Sequence, residues 1–360
     1  MPVQPLPNIA AIEPYKGGES RLPGFDKPIE LASNENPLGC SPAAKAAMIA
    51  AAEKLALYPE GTAETLRQAI AARYGLDAAR MVCGSGSDEI FQLLARAYLS
   101  AGDEIIQSQY GFLVYRLVAQ QSGAATLSAP DKAFTVDVDA MLALVSPRTK
   151  IVFIANPNNP TGTYVPYADL RRLHAGLPEH VLLVIDAAYA EYVDANDYSS
   201  GLEMAAECPN VLMTRTFSKI HGLAALRLGW AYGPVSVIEA LHKVRGPFNV
   251  SAPAMAAGAA ALADLAFAEN SAHTNALERT RVSEALGALG LSVTPSVCNF
   301  VLTHFAAGEA GEADAFLRSR GLIVRAMKAY GLPDALRISI GAPAENDALI
   351  AAMQAFAGKL

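Results

Sequence analysis

Residues 211–229 read Val-Leu-Met-Thr-Arg-Thr-Phe-Ser-Lys-Ile-His-Gly-Leu-Ala-Ala-Leu-Arg-Leu-Gly. The stretch opens on Val211–Thr214, a short aliphatic run of the kind that forms a strand buried on both faces. It then turns polar, with Arg215, Thr216, Ser218 and Lys219 in quick succession and Gly222 and Arg227 behind them. The same alternation recurs outward along the chain. Met81–Cys83, Glu104–Gln107, Ala125–Leu127, Ile151–Ala155, Val181–Ile185 and Leu228–Tyr232 are short apolar runs bounded by Gly, Pro, Asn or Asp. Helical patterns separate several of them, as at Ser87–Leu99, Tyr115–Gln121 and Tyr167–Leu177. Strands alternating with helices predict an α/β fold, a mostly parallel central sheet with helices on both faces.

The two ends depart from this pattern. Residues 1–28 are rich in Pro and Gly and read as an arm lying on something else. From about Phe267 a long helix precedes the strand-like Phe300–Thr303, a helix at Glu312–Arg320, Leu322–Arg325, a strand at Leu336–Ile340 and a last helix, an α+β pattern. The expected organisation is an arm (1–28), a large domain (29–265), and a smaller α+β domain (266–360) that also takes part of the N-terminal segment.

Composition excludes several classes. The chain has 360 residues, 52% of them hydrophobic and 18% charged, which argues against disorder. A formal net charge of −7 leaves no basic footprint for nucleic acid. Four scattered cysteines, Cys40, Cys83, Cys208 and Cys298, form neither a disulfide framework nor a zinc motif, and no metal site is expected. The uncharged stretch Gly246–Ala263 is only 18 residues long and carries Pro247, Asn249, Ser251 and Pro253. It reads as a buried helix beginning near Ser251–Pro253, not a membrane span. A start with three prolines in seven residues gives no secretory signal, and a cytoplasmic enzyme is expected.

In a parallel sheet, ligands bind beyond the C-terminal strand ends, so the residues following each run carry the chemistry. After Met81–Cys83 comes Gly84-Ser85-Gly86-Ser87-Asp88-Glu89, glycines opening a helix whose free N–H groups can cradle an anion. After Ile151–Ala155 comes Asn156-Pro157-Asn158-Asn159-Pro160-Thr161-Gly162, a rigid turn with more Asn than a turn needs. Asp186 ends a wholly apolar strand, where an acid must find a partner such as a protonated heterocyclic nitrogen, and Tyr189 follows three residues on. Lys219 stands among hydroxyls and near a second cation, conditions that favour a neutral, nucleophilic amine. Each signal alone has a plainer reading as a turn, a cap or a basic loop. Together, an anion cradle, an acid for a pyridinium, an Asn and Tyr for a ring hydroxyl, and a lysine for an aldehyde are what pyridoxal 5′-phosphate requires.

The residues resemble the fold-type-I, pyridoxal-phosphate-dependent aminotransferases, most closely the histidinol-phosphate aminotransferases, over nearly the whole chain. Ser33–Gly39 is similar to the family's NENP-G motif, Tyr58-Pro59 to its YP element, Asn158–Gly162 to NNPTG and Asp186–Tyr189 to D-x-A-Y. Thr216–Lys219 with Gly222–Ala224 and Leu226–Gly229 resembles S-K-x-x-G-L-A-x-L-R-x-G, and Leu336–Gly341 resembles the closing L-R-I-x-x-G. The resemblance implies an aspartate-aminotransferase-like fold and a homodimer with shared active sites. It also implies roles. Lys219 binds the cofactor covalently and shuttles a proton at substrate Cα. Asp186 pairs with the pyridinium nitrogen, and Asn159 and Tyr189 bond the ring 3′-oxygen. Ser87, Asp88, Thr216, Ser218 and Arg227 hold the phosphate, Tyr110 stacks on the ring, and Tyr58 reaches the phosphate in the neighbouring subunit.

Arg337 is implied as the anchor for an anionic substrate group, with Arg325, twelve residues earlier, as a second cation. Tyr15, Asn36 and Tyr330 are expected wall residues. The resulting expectation is transamination between histidinol phosphate and 2-oxoglutarate/glutamate, in histidine synthesis. The rivals are an aromatic amino-acid aminotransferase and, further off, a pyridoxal-phosphate decarboxylase of a phosphorylated amino acid. A regulator's cofactor-binding domain is disfavoured by the acidic charge, and a nicotinamide oxidoreductase by the lack of GxGxxG near the start. His221, two residues past Lys219, is expected to be structural.

Overall fold

The structure, a computed structural model, describes residues 3–14 and 17–358. In chain order the strands are β1 (Ile29–Glu30), β2 (Met81–Gly84), β3 (Glu104–Ser108), β4 (Ala125–Ala129), β5 (Thr149–Ala155), β6 (Leu182–Asp186), β7 (Val211–Thr216), β8 (Gly229–Tyr232), β9 (Ser292–Thr294), β10 (Phe300–His304), β11 (Leu322–Ile323), β12 (Arg325–Ala326) and β13 (Ala335–Ser339). Strands β2 to β8 form one sheet in the order β2-β8-β7-β6-β5-β3-β4, parallel throughout except for β8, which runs against both neighbours.

Every residue of β3, β6 and β7 is buried, and the period-2 geometry of a strand divides them between two cores. Leu183, Ile185, Val211 and Met213 enter the core on one face, while Leu182, Val184 and Leu212 enter the core on the other. That division explains why these strands read as continuous apolar runs, without the alternation of a half-exposed sheet.

A third core surrounds Leu31, Val301, Leu336, Ile338 and Leu349. Here β12-β13-β10-β9 make an antiparallel sheet covered by the helices Leu265–Ala288, Glu309–Ser319 and Pro343–Ala357. Strand β1 pairs in parallel with β11, so the segment before the first large-sheet strand is stitched to the end of the chain. The arm lies on the helix Leu113–Gln121, where Asn8 Nδ2 donates to the carbonyls of Gln120 and Gln121 at 3.1 and 3.0 Å.

Ser251 caps the helix Ala252–Ala263 by accepting from Ala254 N, and the uncharged stretch is a helix packed in the large core. Among the described residues no helix is long and apolar enough to cross a membrane.

Candidate active site

The C-terminal ends of β2, β5, β6 and β7 meet residues 32–35 and the Arg325–Arg337 strand pair around a cavity of about 250 Å³. Lys219 sits in a turn directly after β7, and its Nζ donates to the Ser33 carbonyl at 3.0 Å. Burial, reinforced by the Arg337 charge, lowers its pKa to about 8. The turn is locked to the 33–39 segment. Gly222 has a φ of +63°, and a Cβ there would sit 1.8 Å from the Gly39 carbonyl oxygen, so only glycine fits.

Asp186 ends β6, 5% exposed, and burial raises its pKa to about 6. Two hydroxyls steady the carboxylate: Tyr115 Oη donates to Oδ2 at 2.7 Å and Thr214 Oγ1 to Oδ1 at 3.3 Å. Tyr115 is fully buried between Phe91 and Phe153, so its hydroxyl has little choice of partner. This residue escapes a reading of the sequence, because it lies 71 positions from Asp186 on what reads as an ordinary core helix.

Tyr189 Oη accepts from Asn34 Nδ2 at 3.0 Å. Asn34 itself is held by Ser339, which receives its N–H at 2.8 Å and donates to its Oδ1 at 3.0 Å. Asn159 Oδ1 accepts from Arg337 Nη1 at 2.6 Å, and Arg337 Nη2 donates to the Ala32 carbonyl at 2.5 Å. Arg337 Nε is buried with no hydrogen-bond partner among the described residues, a donor that a carboxylate or phosphate oxygen would satisfy. The other two asparagines of the turn serve the turn itself. Asn156 exchanges hydrogen bonds with the Val165 backbone, and Asn158 donates to the Tyr110 carbonyl and to Thr161 Oγ1.

Ser87, Asp88, Thr216, Ser218 and Arg227 come together at the N-terminus of the helix Ser87–Tyr98. Gly86 occupies the N-cap position, with φ +80°. A side chain at Gly86 would meet Arg227 Nη2 at 2.5 Å and fill the space a phosphate needs. Arg227 Nη1 donates to Ser218 Oγ at 3.3 Å and Nη2 to Asp88 Oδ2 at 3.2 Å, while Thr216 Oγ1 donates to Ser218 Oγ at 3.0 Å. Free helix N–H groups, two hydroxyls and a guanidinium form a donor set for a phosphate dianion. With Lys219 and Asp186 in the same cavity, the residues present fit pyridoxal 5′-phosphate.

Arg325 and Tyr330 also line this cavity, and Arg325 Nη1 donates to the Gly17 carbonyl at 2.6 Å. Two expectations for the remaining residues, those for Tyr110 and Asn36, are met differently. Tyr110 does not line the cavity; its ring lies 5.8 Å from that of Phe134, and Phe112, two residues on, takes the place at the wall. Asn36 is no wall residue either, because it is buried and its Nδ2 is spent on the Ile220 carbonyl and Ser271 Oγ. Tyr58 is 83% exposed, stacked on Phe248 at 4.8 Å in an adjoining cleft that also contains Arg227. Tyr15 lies outside the described residues. His221 is buried against Phe217, away from the cavity wall, and burial lowers its pKa.

Comparison with known proteins agrees with this geometry. Residues 26–353 match the profile of the family described as aminotransferase class I and II. The chain is 56% identical over 359 residues to the histidinol-phosphate aminotransferase of Maricaulis maris (strain MCS10), covering 99% of each. It is 56% identical over 345 residues to that of Rhodospirillum centenum (strain ATCC 51521 / SW), covering 95% of each. The crystal structure of histidinol-phosphate aminotransferase from Sinorhizobium meliloti in complex with pyridoxal-5′-phosphate superposes with a TM-score of 0.90, at 28% identity, over 98% of this chain and 97% of that one.

Proposed function

This chain belongs to the aminotransferase class I and II family, and on that footing we infer that it moves the amino group of histidinol phosphate to 2-oxoglutarate, giving imidazole acetol phosphate and glutamate. The reaction is a step of histidine synthesis.

Pyridoxal 5′-phosphate, when bound, supplies an aldehyde for the amino group and a ring that withdraws electrons from substrate Cα. The protein's residues do the rest. Lys219 Nζ, with its pKa lowered to about 8, exists partly as free amine near neutral pH. It can attack a carbonyl carbon and then carry a proton to and from substrate Cα. Asp186, kept anionic by the Tyr115 and Thr214 hydroxyls, holds the proton of the ring nitrogen. Asn159 and Tyr189 orient the ring oxygen, and the cradle from Ser87 to Arg227 anchors the phosphate.

The observation that carries the substrate reading is the pairing of Arg325 with Arg337. The two are direct cross-strand partners on β12 and β13, and both line the cavity. Histidinol phosphate brings a phosphate and no carboxylate, whereas glutamate brings two carboxylates. Neighbouring guanidiniums accept either set. The test is a comparison of single half-reactions with histidinol phosphate, phenylalanine and tyrosine. Histidinol phosphate is expected to show the highest kcat/KM, and a wide margin for phenylalanine would overturn the choice of substrate.

The reading extends to a cytoplasmic homodimer in which Tyr58 reaches the cofactor phosphate of the second subunit. The exposure of the Tyr58 ring, stacked on Phe248 at the surface, supports this, because an exposed aromatic pair gains a partner on association. Residues 29–265 would form the cofactor domain and 266–360 the small domain with part of the N-terminal segment. The pairing of β1 with β11 supports that last assignment.

A further inference from the structure

The cavity is lined by three acids, of which two are already committed. Asp88 is paired with Arg227, and Asp186 is bonded by Tyr115 and Thr214. The third, Glu35, is exposed into the cavity mouth, and its carboxylate makes no hydrogen bond or ion pair among the described residues. The backbone beneath it is held on every side. Asn299 Nδ2 donates to the carbonyls of Asn34 and Glu35 at 2.9 and 3.2 Å. Asn34, in the left-handed region at φ +56°, is fixed by Ser339, and Asn36 is fixed by Ile220 and Ser271. Both flanking side chains are buried, which leaves the side chain between them facing out from a rigid peptide.

Histidinol phosphate places three demands on the site. Its amine goes to the cofactor and its phosphate to the arginines. Its imidazole N–H then needs an acceptor, which Lys and Arg cannot supply. Asn34 and Asn159 accept from Ser339 and Arg337. We propose that Glu35 is the acceptor for the imidazole N–H of the amino donor, and so a residue that sets preference for this substrate. The role rests on the histidinol-phosphate reading above. A carboxylate at this place also favours the imidazolium form, since an adjacent anion stabilises it, and offers nothing to a phenyl ring.

The test pairs two variants of the protein with two variants of the ligand. Histidinol phosphate and its phenyl analogue, which has the same phosphate and amine but no ring N–H, are compared in wild type and Glu35→Ala holoenzyme. Wild type is expected to prefer the imidazole compound in kcat/KM, and Glu35→Ala, which leaves no side-chain acceptor, to shrink that preference about tenfold, the scale of a lost hydrogen bond to a charged group. Calorimetric Kd values for the same ligands, measured in a Lys219→Ala background where turnover is removed, should show the same narrowing. An unchanged preference, or an equal loss for both ligands, would overturn the role of Glu35 while leaving the transamination reading intact. A wild type that fails to turn over histidinol phosphate at all would overturn both.

Discussion

Tyr115 Oη donates to Asp186 Oδ2 at 2.7 Å, and this buried contact sets how acidic the carboxyl can be. Burial pushes the Asp186 pKa up to about 6, and the hydroxyl works in the opposite direction. Tyr115→Phe keeps the stacking on Phe153 but removes the donor. The Asp186 pKa should then rise further toward neutrality, so that near pH 7 more of the carboxyl is protonated and unable to hold the ring nitrogen's proton. The acidic limb of the pH–kcat profile is expected to move to higher pH, with about a tenfold loss of kcat below pH 7. A profile that superposes on wild type would refute the coupling.

Lys219 carries a second consequence, for stability. Its folded pKa, about 8, lies below the ordinary 10.5, so the unfolded chain binds the proton more tightly. Below pH 8 the cofactor-free fold therefore bears a penalty, which is relieved as pH rises from about 8 toward 10.5. Lys219→Met should abolish turnover, yet stabilise the cofactor-free protein at pH 7 by about 1–3 kcal/mol, with the advantage fading by pH 10. Denaturant melts of both proteins at pH 7 and pH 10 measure it. In the cofactor-free wild type, the rate of reaction with pyridoxal 5′-phosphate should climb through a midpoint near pH 8.

Arg337 holds Asn159 and Ala32 as well as facing the cavity, so its loss should be felt in both half-reactions. Arg337→Ala is expected to cost about 3 kcal/mol of transition-state binding, close to a hundredfold in kcat/KM for histidinol phosphate and for glutamate. Arg337→Lys should recover little, since one ammonium cannot reproduce the forked guanidinium contacts. Full recovery by lysine would show that charge alone suffices.

For Tyr58, the readout is assembly and cofactor retention. Sedimentation of the wild type should give twice the 37.8 kDa chain mass. Tyr58→Phe should keep that mass but release pyridoxal 5′-phosphate several-fold faster on dilution, through loss of one hydroxyl contact to the phosphate. Equal release rates would remove Tyr58 from the partner's site.

The layered architecture was legible because burial leaves a local mark. A strand covered on both faces must be apolar at consecutive positions, as in Val211–Met213, and the polar residues after it stand where a parallel sheet opens. Lys219, Asp186, Tyr189, Asn159 and Arg227 all follow such runs, and the structure brings the five to one cavity. Tyr110 and Asn36 were misplaced for the same reason in reverse. A loop residue near a strand end has several directions open to it, and packing against Phe134 or bonding to Ile220 decided theirs.

By itself, then, the order of residues determined the sheet, the cofactor chemistry and most of the residues that stand at the strand ends around one cavity, since these rest on patterns of neighbouring residues. Tertiary structure alone decided which distant groups tune them. Tyr115 meets Asp186 across 71 positions, Asn34 meets Tyr189 across 155, and Arg337 meets Asn159 across 178. No periodicity or spacing encodes such pairs, because they exist only once separately folded segments pack and a buried donor is left one acceptor within reach.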